Sequence, residues 1–205
     1  VHPNPAFAWE DRPEMLAFVA AQGFAHIFTA SEAGLFVVHA PVLVTDGGKV
    51  QFHVSRRNRI ADHLGGRVLI SVAGREAYQS ANWYVSENQV PTWHYESVEI
   101  EGGATPLSDG GLVDLLDRLS ERFETQHSPE RPWTRGKMEK GRFEAMTRAI
   151  VGFEVDPADI RGTRKFNQHK SAEDLAATIA GQTQAGRADI VQAIRELTGE
   201  RQRGR

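Results

Sequence analysis

The sequence predicts a mainly β, α+β chain, a small antiparallel barrel carrying helices. Three observations predict it. The first hundred residues are a series of short β-rich runs separated by tight-turn signals. Few long crossovers separate those runs, which favours antiparallel neighbours. After residue 111 the apolar spacing changes from a period of two to one of 3.6. The barrel is expected over residues 1–170, with inserted helices at about 111–149, and a helical extension over 171–205. A chain of 205 residues suits one domain with such an appendage.

Residues 1–9, with Pro3 and Pro5, read as irregular. Asp11 is a suitable N-cap for a helix carrying Pro13 and Glu14 in its first turn and ending near Gly23. Strands follow at Phe24–Ala30 and Leu35–Val44, joined through Glu32-Ala33-Gly34. Asp46-Gly47-Gly48 then signals a hairpin into Lys49–Ser55, where Val50, Phe52 and Val54 alternate with Gln51 and His53. Arg57–Leu64 reads as a short helix stopped by Gly65-Gly66. Further strands are expected at Arg67–Gly74, Ala77–Tyr84 and Thr92–Gly102, with Gly102-Gly103-Ala104 serving as a turn. Leu112, Leu115, Leu116, Leu119 and Phe123 form the stripe of an amphipathic helix. A loop over 126–136 and a helix over 137–149 lead to a β-like run at 149–155. Residues 159–170 are polar and basic. Two short helices begin at Ser171 and Arg187.

Composition narrows the function. With no cysteine, disulfides, thiolate metal sites and a Cys nucleophile are excluded. The net charge of −3 argues against whole-surface attraction to DNA. No membrane span or signal peptide is read, so a cytoplasmic location is expected. The eight histidines show no HxH or HExxH spacing, so no metal site is assigned.

Three stretches could carry chemistry. In the first, His53-Val54-Ser55-Arg56-Arg57-Asn58-Arg59, a strand passes into the expected helix. Free N–H groups at a helix start, with Ser55, Asn58 and three arginines around them, would cradle a phosphate. A solvated basic turn with a capping side chain fits the same residues, and a nucleic-acid patch is a third reading. The second, Tyr78–Tyr95, holds all three tyrosines with Trp83 and Trp93, interleaved with Ser80, Asn82 and Thr92. It suits a planar hydrogen-bonding ligand, a protein interface or a barrel filling. The third, Arg161–Lys170, has four cationic residues, Arg161, Arg164, Lys165 and Lys170, around Phe166, Asn167 and Gln168. A solvated loop is the usual meaning of such a run.

Taken together the motifs resemble the PaiB family, described as FMN-binding negative transcriptional regulators, from about Pro3 to Lys170. The family's His-Leu-Pro is similar to His39-Ala40-Pro41. Its His-x-x-Arg-x-Asn-Pro is similar to His53, Arg56 and Asn58, with Arg59 for Pro. Its Tyr-x-Ser-x-x-Trp-Tyr matches Tyr78, Ser80, Trp83 and Tyr84. Its Val-Pro-Thr-Trp-Asn-Tyr matches Val90–Tyr95 with His94 for Asn, and Ala-Ile-Val-Gly-Phe-Glu is identical at Ala149–Glu154. Its Gly-Lys-Trp-Lys-Leu-Ser-Gln-Asn is similar at Gly162, Lys165 and Gln168, with Arg164, Asn167 and His169 as departures.

The resemblance implies an FMN-binding split β-barrel working as a homodimer, with FMN at the subunit interface. The phosphate is then expected on the helix start at Arg56–Arg59 and the isoalloxazine along the strands near His39–Pro41, with His53, Ser55 and Asn58 also counted among the cofactor-binding residues. Trp83 and Trp93 would shape the flavin pocket or the dimer seam, Ser80 and Thr92 count among the cofactor-binding residues, and Lys165 and Gln168 would reach in from the C-terminal region of the same or the other subunit. A regulator or flavin/metabolite sensor is the function implied. A flavin-dependent oxidoreductase of the pyridoxamine-oxidase or flavin-reductase class is the alternative, with His39, His94 and Lys165 as equal candidates for a general acid. Direct DNA binding has little in the sequence behind it beyond the tail Arg195–Arg205, with four arginines against two glutamates.

Overall fold

The computed structural model describes residues 2–203. Seven strands form one mostly antiparallel sheet: β1 (Ala8–Trp9), β2 (Phe24–Ser31), β3 (Gly34–Val44), β4 (Val50–Ser55), β5 (Arg67–Gln79), β6 (Thr92–Pro106) and β7 (Ile150–Lys165). Their order is β1-β7-β4-β3-β2-β5-β6, and a further β7–β6 pairing closes the ring. Five helices accompany them: α1 (Arg12–Gln22), α2 (Asp109–His127), α3 (Arg142–Thr147), α4 (Ala172–Gln184) and α5 (Ala188–Arg203). The fold is the expected barrel with helices. No helix among the described residues is long and apolar enough to cross a membrane.

The chain divides into two compact units. One holds Asp11–Val72 and Glu99–Ile160, and the other holds Val1–Glu10, Ala73–Val98 and Arg161–Arg205. The strands β5, β6 and β7 each contribute residues to both.

In the Asp11–Val72/Glu99–Ile160 unit the local signals act as expected. Asp11 accepts a hydrogen bond from Glu14 N at 2.8 Å, and Gly23 ends α1 in the left-handed region at φ 66°. The β2–β3 hairpin pairs Phe24 with Pro41 through Ser31 with Gly34, and β3 pairs Val42 with Phe52 on β4. Alternation sends Ala25, Ile27, Val38, Ala40, Val42, Val50, Phe52 and Val54 into the barrel, where Phe52 stacks on its cross-strand partner Phe153 at 5.7 Å. On the outside, α2 lays Leu115 and Leu119 against Leu43, Leu107 and Phe123. Gly102 lies inside β6, not in the turn expected at 102–104. A Cβ there would stand 2.3 Å from Asp156 O, so a side chain is excluded where the two strands approach.

Other expectations are corrected here. No helix forms over 57–64; a turn leads to a single 3-10 turn at Ala61–His63. Arg56 to Arg59 contribute four exposed polar residues in a row, leaving no apolar face to pack before Ile60. The expected helix over 137–149 shrinks to α3. The run at 149–155 extends through the polar 159–165 stretch into a 16-residue strand, because β4 and β6 flank it.

In the second unit, β1 pairs Ala8 and Trp9 with Thr163 and Gly162 of β7, ordering a segment expected to be irregular. Phe166, Ala77, Ile190, Ala193 and Ile194 form its core, which packs α5. The tail's role rests largely on Arg201, Arg203 and Arg205, whose side chains lie outside the described residues.

Candidate functional site

The strands β3 and β4 turn alternate residues outwards. Val38, Ala40 and Val42 are buried on one side of β3, so His39 and Pro41 lie on the other. On β4, Phe52 and Val54 face the core, so Gln51, His53 and Ser55 share the outward face with His39 and Pro41. Arg56, Arg57 and Arg59 follow directly at the end of β4, all exposed.

The bonds around this turn differ from a helix start. Arg57 N donates to Ser55 Oγ at 3.2 Å, Asn58 N to Ser55 O at 2.9 Å, Ile60 N to Asn58 Oδ1 at 3.2 Å and Ala61 N to Asn58 O at 2.9 Å. Ser55 and Asn58 thus bond their own backbone, as short polar side chains do in turns. The expected N–H cradle and helix dipole are replaced by guanidinium groups. Arg56 is braced by Ala149 O on its N–H, at 2.9 Å, and by Arg148 O on its Nε, at 3.1 Å. The Arg59 guanidinium lies 5.6 Å over the Phe36 ring, which stacks on His63 at 4.2 Å. Two held arginines with planar forks suit a phosphate.

Whether the face fits a flavin phosphate ester can be tested on its polar atoms. His53 Nδ1 and Gln51 Oε1 are buried and have no hydrogen-bond partner in the structure. Burial lowers the His53 pKa, so the ring stays neutral and offers one donor and one acceptor. Buried polar atoms normally find partners, so an orphaned imidazole nitrogen two residues from Ser55 is what a bound polar ligand would satisfy. Among the described residues no cluster of three or more candidate ligands could hold a metal ion.

The second unit holds the remaining candidates. Lys165 Nζ donates to Thr92 Oγ1 at 2.7 Å and lies 6.0 Å from the Phe7 and Tyr95 rings. Burial lowers its pKa. Trp93 is exposed and meets Tyr78 edge-on at 6.0 Å. Ser80 Oγ accepts from Asn82 N, starting the 3-10 turn at Ala81–Trp83. Trp83 covers Gly181 of α4, where a Cβ would come within 2.4 Å of the indole. Gln168 is fully used by the backbone: Oε1 accepts from Phe166 N at 2.8 Å, and Nε2 donates to Ala6 O at 3.0 Å and Arg164 O at 2.5 Å. Trp83 and Gln168 therefore do visible structural work.

Sequence reasoning missed the buried polar network of this unit. His94 Nε2 lies 3.0 Å from Gln79 Oε1, which also takes Gln182 Nε2 at 3.4 Å. Asn167 donates to Tyr84 Oη at 2.8 Å and Thr178 Oγ1 at 3.3 Å. The available signal was alternation on β6, which puts His94 and Glu96 on the side of Val98 and Ile100. His94 has no exposure, so it cannot reach a substrate, and the candidates for a general acid narrow to His39 and Lys165.

Burial holds the His94 pKa down to about 4. A histidine depressed in the folded state stabilises it fully above the unfolded value near 6.5 and loses that contribution as the pH falls towards 4. About 2 kcal/mol should disappear between pH 7 and pH 5. Glu154, Asp174 and Asp189 are held below the usual carboxylate range by hydrogen bonds, so their losses begin at lower pH. Urea unfolding of His94→Asn at both pH values should show a smaller difference than the parent. An equal difference would assign the acid sensitivity elsewhere.

Comparison with known proteins gives this arrangement a family. The model of a family described as "Putative FMN-binding domain" matches residues 1–158. The protease synthase and sporulation protein PAI 2 of Bacillus subtilis (strain 168) is 33% identical over 112 residues, 55% of this chain and 53% of that protein. The match thus spans about half the length of that relative. Among solved structures, the FAD and heme binding protein from Mycobacterium smegmatis has a TM-score of 0.58 at 16% identity, covering 83% of this chain and 79% of that one. The flavocytochrome Anf3 from Azotobacter vinelandii has a TM-score of 0.57 at 16% identity, covering 80% and 72%. These likenesses show a shared fold, the split barrel. The match over residues 1–158 gives FMN as this chain's cofactor, and the chain belongs to the PaiB-like FMN-binding domain family.

Proposed function

We propose that this chain is a cytoplasmic, homodimeric flavoprotein acting as a negative transcriptional regulator or flavin/metabolite sensor of the PaiB type. The observation that carries the reading is the outward face of β3–β4. It groups His39, Pro41, His53 and Ser55 and leads directly into Arg56, Arg57 and Arg59, with an unpartnered buried nitrogen on His53. Arg56 and Arg59 would hold the FMN phosphate, His53 would hydrogen-bond the ligand, and His39 and Pro41 would line the isoalloxazine. Lys165, Thr92 and Trp93, in the other unit, are counted among the cofactor-binding residues on the resemblance alone. FMN, when bound, would supply one- and two-electron chemistry that a chain without cysteine lacks. The chain's own part is to orient the ligand and fix its charge environment. The regulatory role is supported by the resemblance and the net charge of −3, which favours an indirect effect over direct DNA binding.

The test is a titration of the purified chain with FMN, read by quenching of flavin fluorescence. Saturation at one FMN per chain is expected, with no steady NAD(P)H oxidation by the complex. Absence of quenching would overturn the reading. Sustained turnover would move the protein to the oxidoreductase class.

A further inference from the structure

The outward face of β3–β4 is not evenly open. Along β4, Ser55 is exposed, His53 is half-buried and Gln51 is buried. Along β3, His39 is exposed, Pro41 is half-buried and Leu43 is buried. Leu43 pairs with Gln51, so the two closed ends coincide. Leu115 and Leu119 of α2 pack on Leu43 and roof that end. On the β7 side His53 pairs with Gly152, where a Cβ would stand 2.9 Å from Leu107 Cδ1 and 3.1 Å from Leu112 Cδ1. The face is therefore a lane, open beside the arginines and closed under α2.

Gln51 stands at the closed end. It is 8% exposed, and its Oε1 has no hydrogen-bond partner among the described residues. The direction of its amide is fixed from outside the lane. Gln51 Nε2 donates to Glu154 Oε2 at 2.8 Å, and Lys49 Nζ donates to Glu154 Oε1 at 2.7 Å. These bonds, that of Lys49 first, hold the Glu154 pKa below its ordinary value, so Glu154 is an ionised carboxylate and only accepts. The amide must then turn its nitrogen to Glu154 and its oxygen away, which settles the two ends on chemical grounds. A buried carbonyl oxygen held in one direction normally meets a donor.

We propose that Gln51 reads the ring of the flavin, its Oε1 accepting a hydrogen bond from the ring's N3–H, with Glu154 and Lys49 as positioning residues. The proposal rests on the FMN reading above and adds a residue which that reading leaves out. Five residues of extended strand put Gln51 roughly 16 Å from Arg56. A ligand with its phosphate at the arginines therefore extends along the lane towards Gln51. The oxidised isoalloxazine carries N3–H as its single donor, and the other polar atoms of its edge accept. An oriented acceptor tells that edge from the rest, and the cover of α2 keeps out the water that would compete for it.

Fluorescence-quenching titrations with FMN and with FMN methylated on N3 test this. The methyl group removes the donor and leaves the ribityl chain and phosphate unchanged. The parent chain should bind FMN at least about tenfold more tightly than the methylated flavin. Gln51→Met, close in shape and without the acceptor, should bind the two within about threefold of each other, while the preference for FMN over riboflavin, set by the phosphate, persists. Glu154→Gln no longer dictates which end of the amide faces it, and should lower the N3–H preference by about threefold or more. It serves as the second variant should Gln51→Met fail to fold by circular dichroism. A parent that binds both flavins equally, or a folded variant of either kind that keeps the full preference, overturns the proposal while the FMN reading stands. A parent that quenches neither flavin removes the FMN reading itself, and this proposal with it.

Discussion

Replacing Glu96 with alanine will cost the Val1–Glu10/Ala73–Val98/Arg161–Arg205 unit about 3–5 kcal/mol, the usual loss when one partner of a buried ion pair is removed. The Glu96 side chain is buried and accepts from Arg75 Nε at 2.7 Å, Arg75 Nη2 at 3.2 Å and Arg75 N at 3.4 Å. Glu96 Oε2, which accepts from Arg75 Nη2, also lies 3.7 Å from Arg164 Nε, and the Arg164 guanidinium sits 3.4 Å from the centre of the Trp9 ring. The carboxylate thus balances two arginines held in partly buried positions. Arg75 also reaches Asp189 O and Glu196 Oε2 on α5, each at 3.4 Å, so loss of Glu96 loosens the seat of that helix. Three of the four tryptophans, Trp9, Trp83 and Trp93, belong to this unit. Tryptophan emission during urea unfolding therefore reports mainly on it. A loss below about 1 kcal/mol would mean that the arginines are satisfied without Glu96.

The second large effect falls on ligand affinity. Arg56→Ala alone should weaken FMN by about 1.5–3 kcal/mol, the range for a hydrogen bond to a charged group. Joint replacement of Arg56 and Arg59 should weaken FMN by about a hundredfold or more, two such bonds being lost together. Arg56 carries the larger share, because Arg148 O and Ala149 O fix its direction while its terminal nitrogens remain available. Both side chains are exposed, so the unfolding midpoint of the ligand-free variants should stay near that of the parent. An unchanged FMN affinity in the double variant would put the phosphate elsewhere.

The parts legible in the sequence were those fixed by neighbours along the chain. Gly23, Gly34 and Gly48 each take a positive φ at the end of a helix or in a turn, and the strands they delimit came out within a few residues. Alternation read on β4 set Gln51 and His53 opposite Val50, Phe52 and Val54, as their burial shows. The parts not legible depend on distant partners. β7 runs on through Asp156, Pro157 and Asp159, past the end of the β-like run expected at 149–155, because neighbouring strands satisfy its backbone. β5 passes through Gly74 without the break its sequence suggested. The His94–Gln79–Gln182 network joins residues 15 and 103 positions apart; alternation on β6 points His94 inwards, but no local pattern names its partners. At 57–64 the local signal misled, since Ser55 and Asn58 bonded the turn's own amides instead of capping a helix.

The central claim is that the arginines after β4 read the phosphate of the flavin. Riboflavin is FMN without that phosphate, so the ratio of their affinities isolates the contact. The parent chain should bind FMN at least a hundredfold more tightly than riboflavin, and the chain lacking Arg56 and Arg59 should bind the two within about threefold of each other. A parent chain that binds riboflavin as tightly as FMN, or a variant that keeps the full preference, would contradict the account.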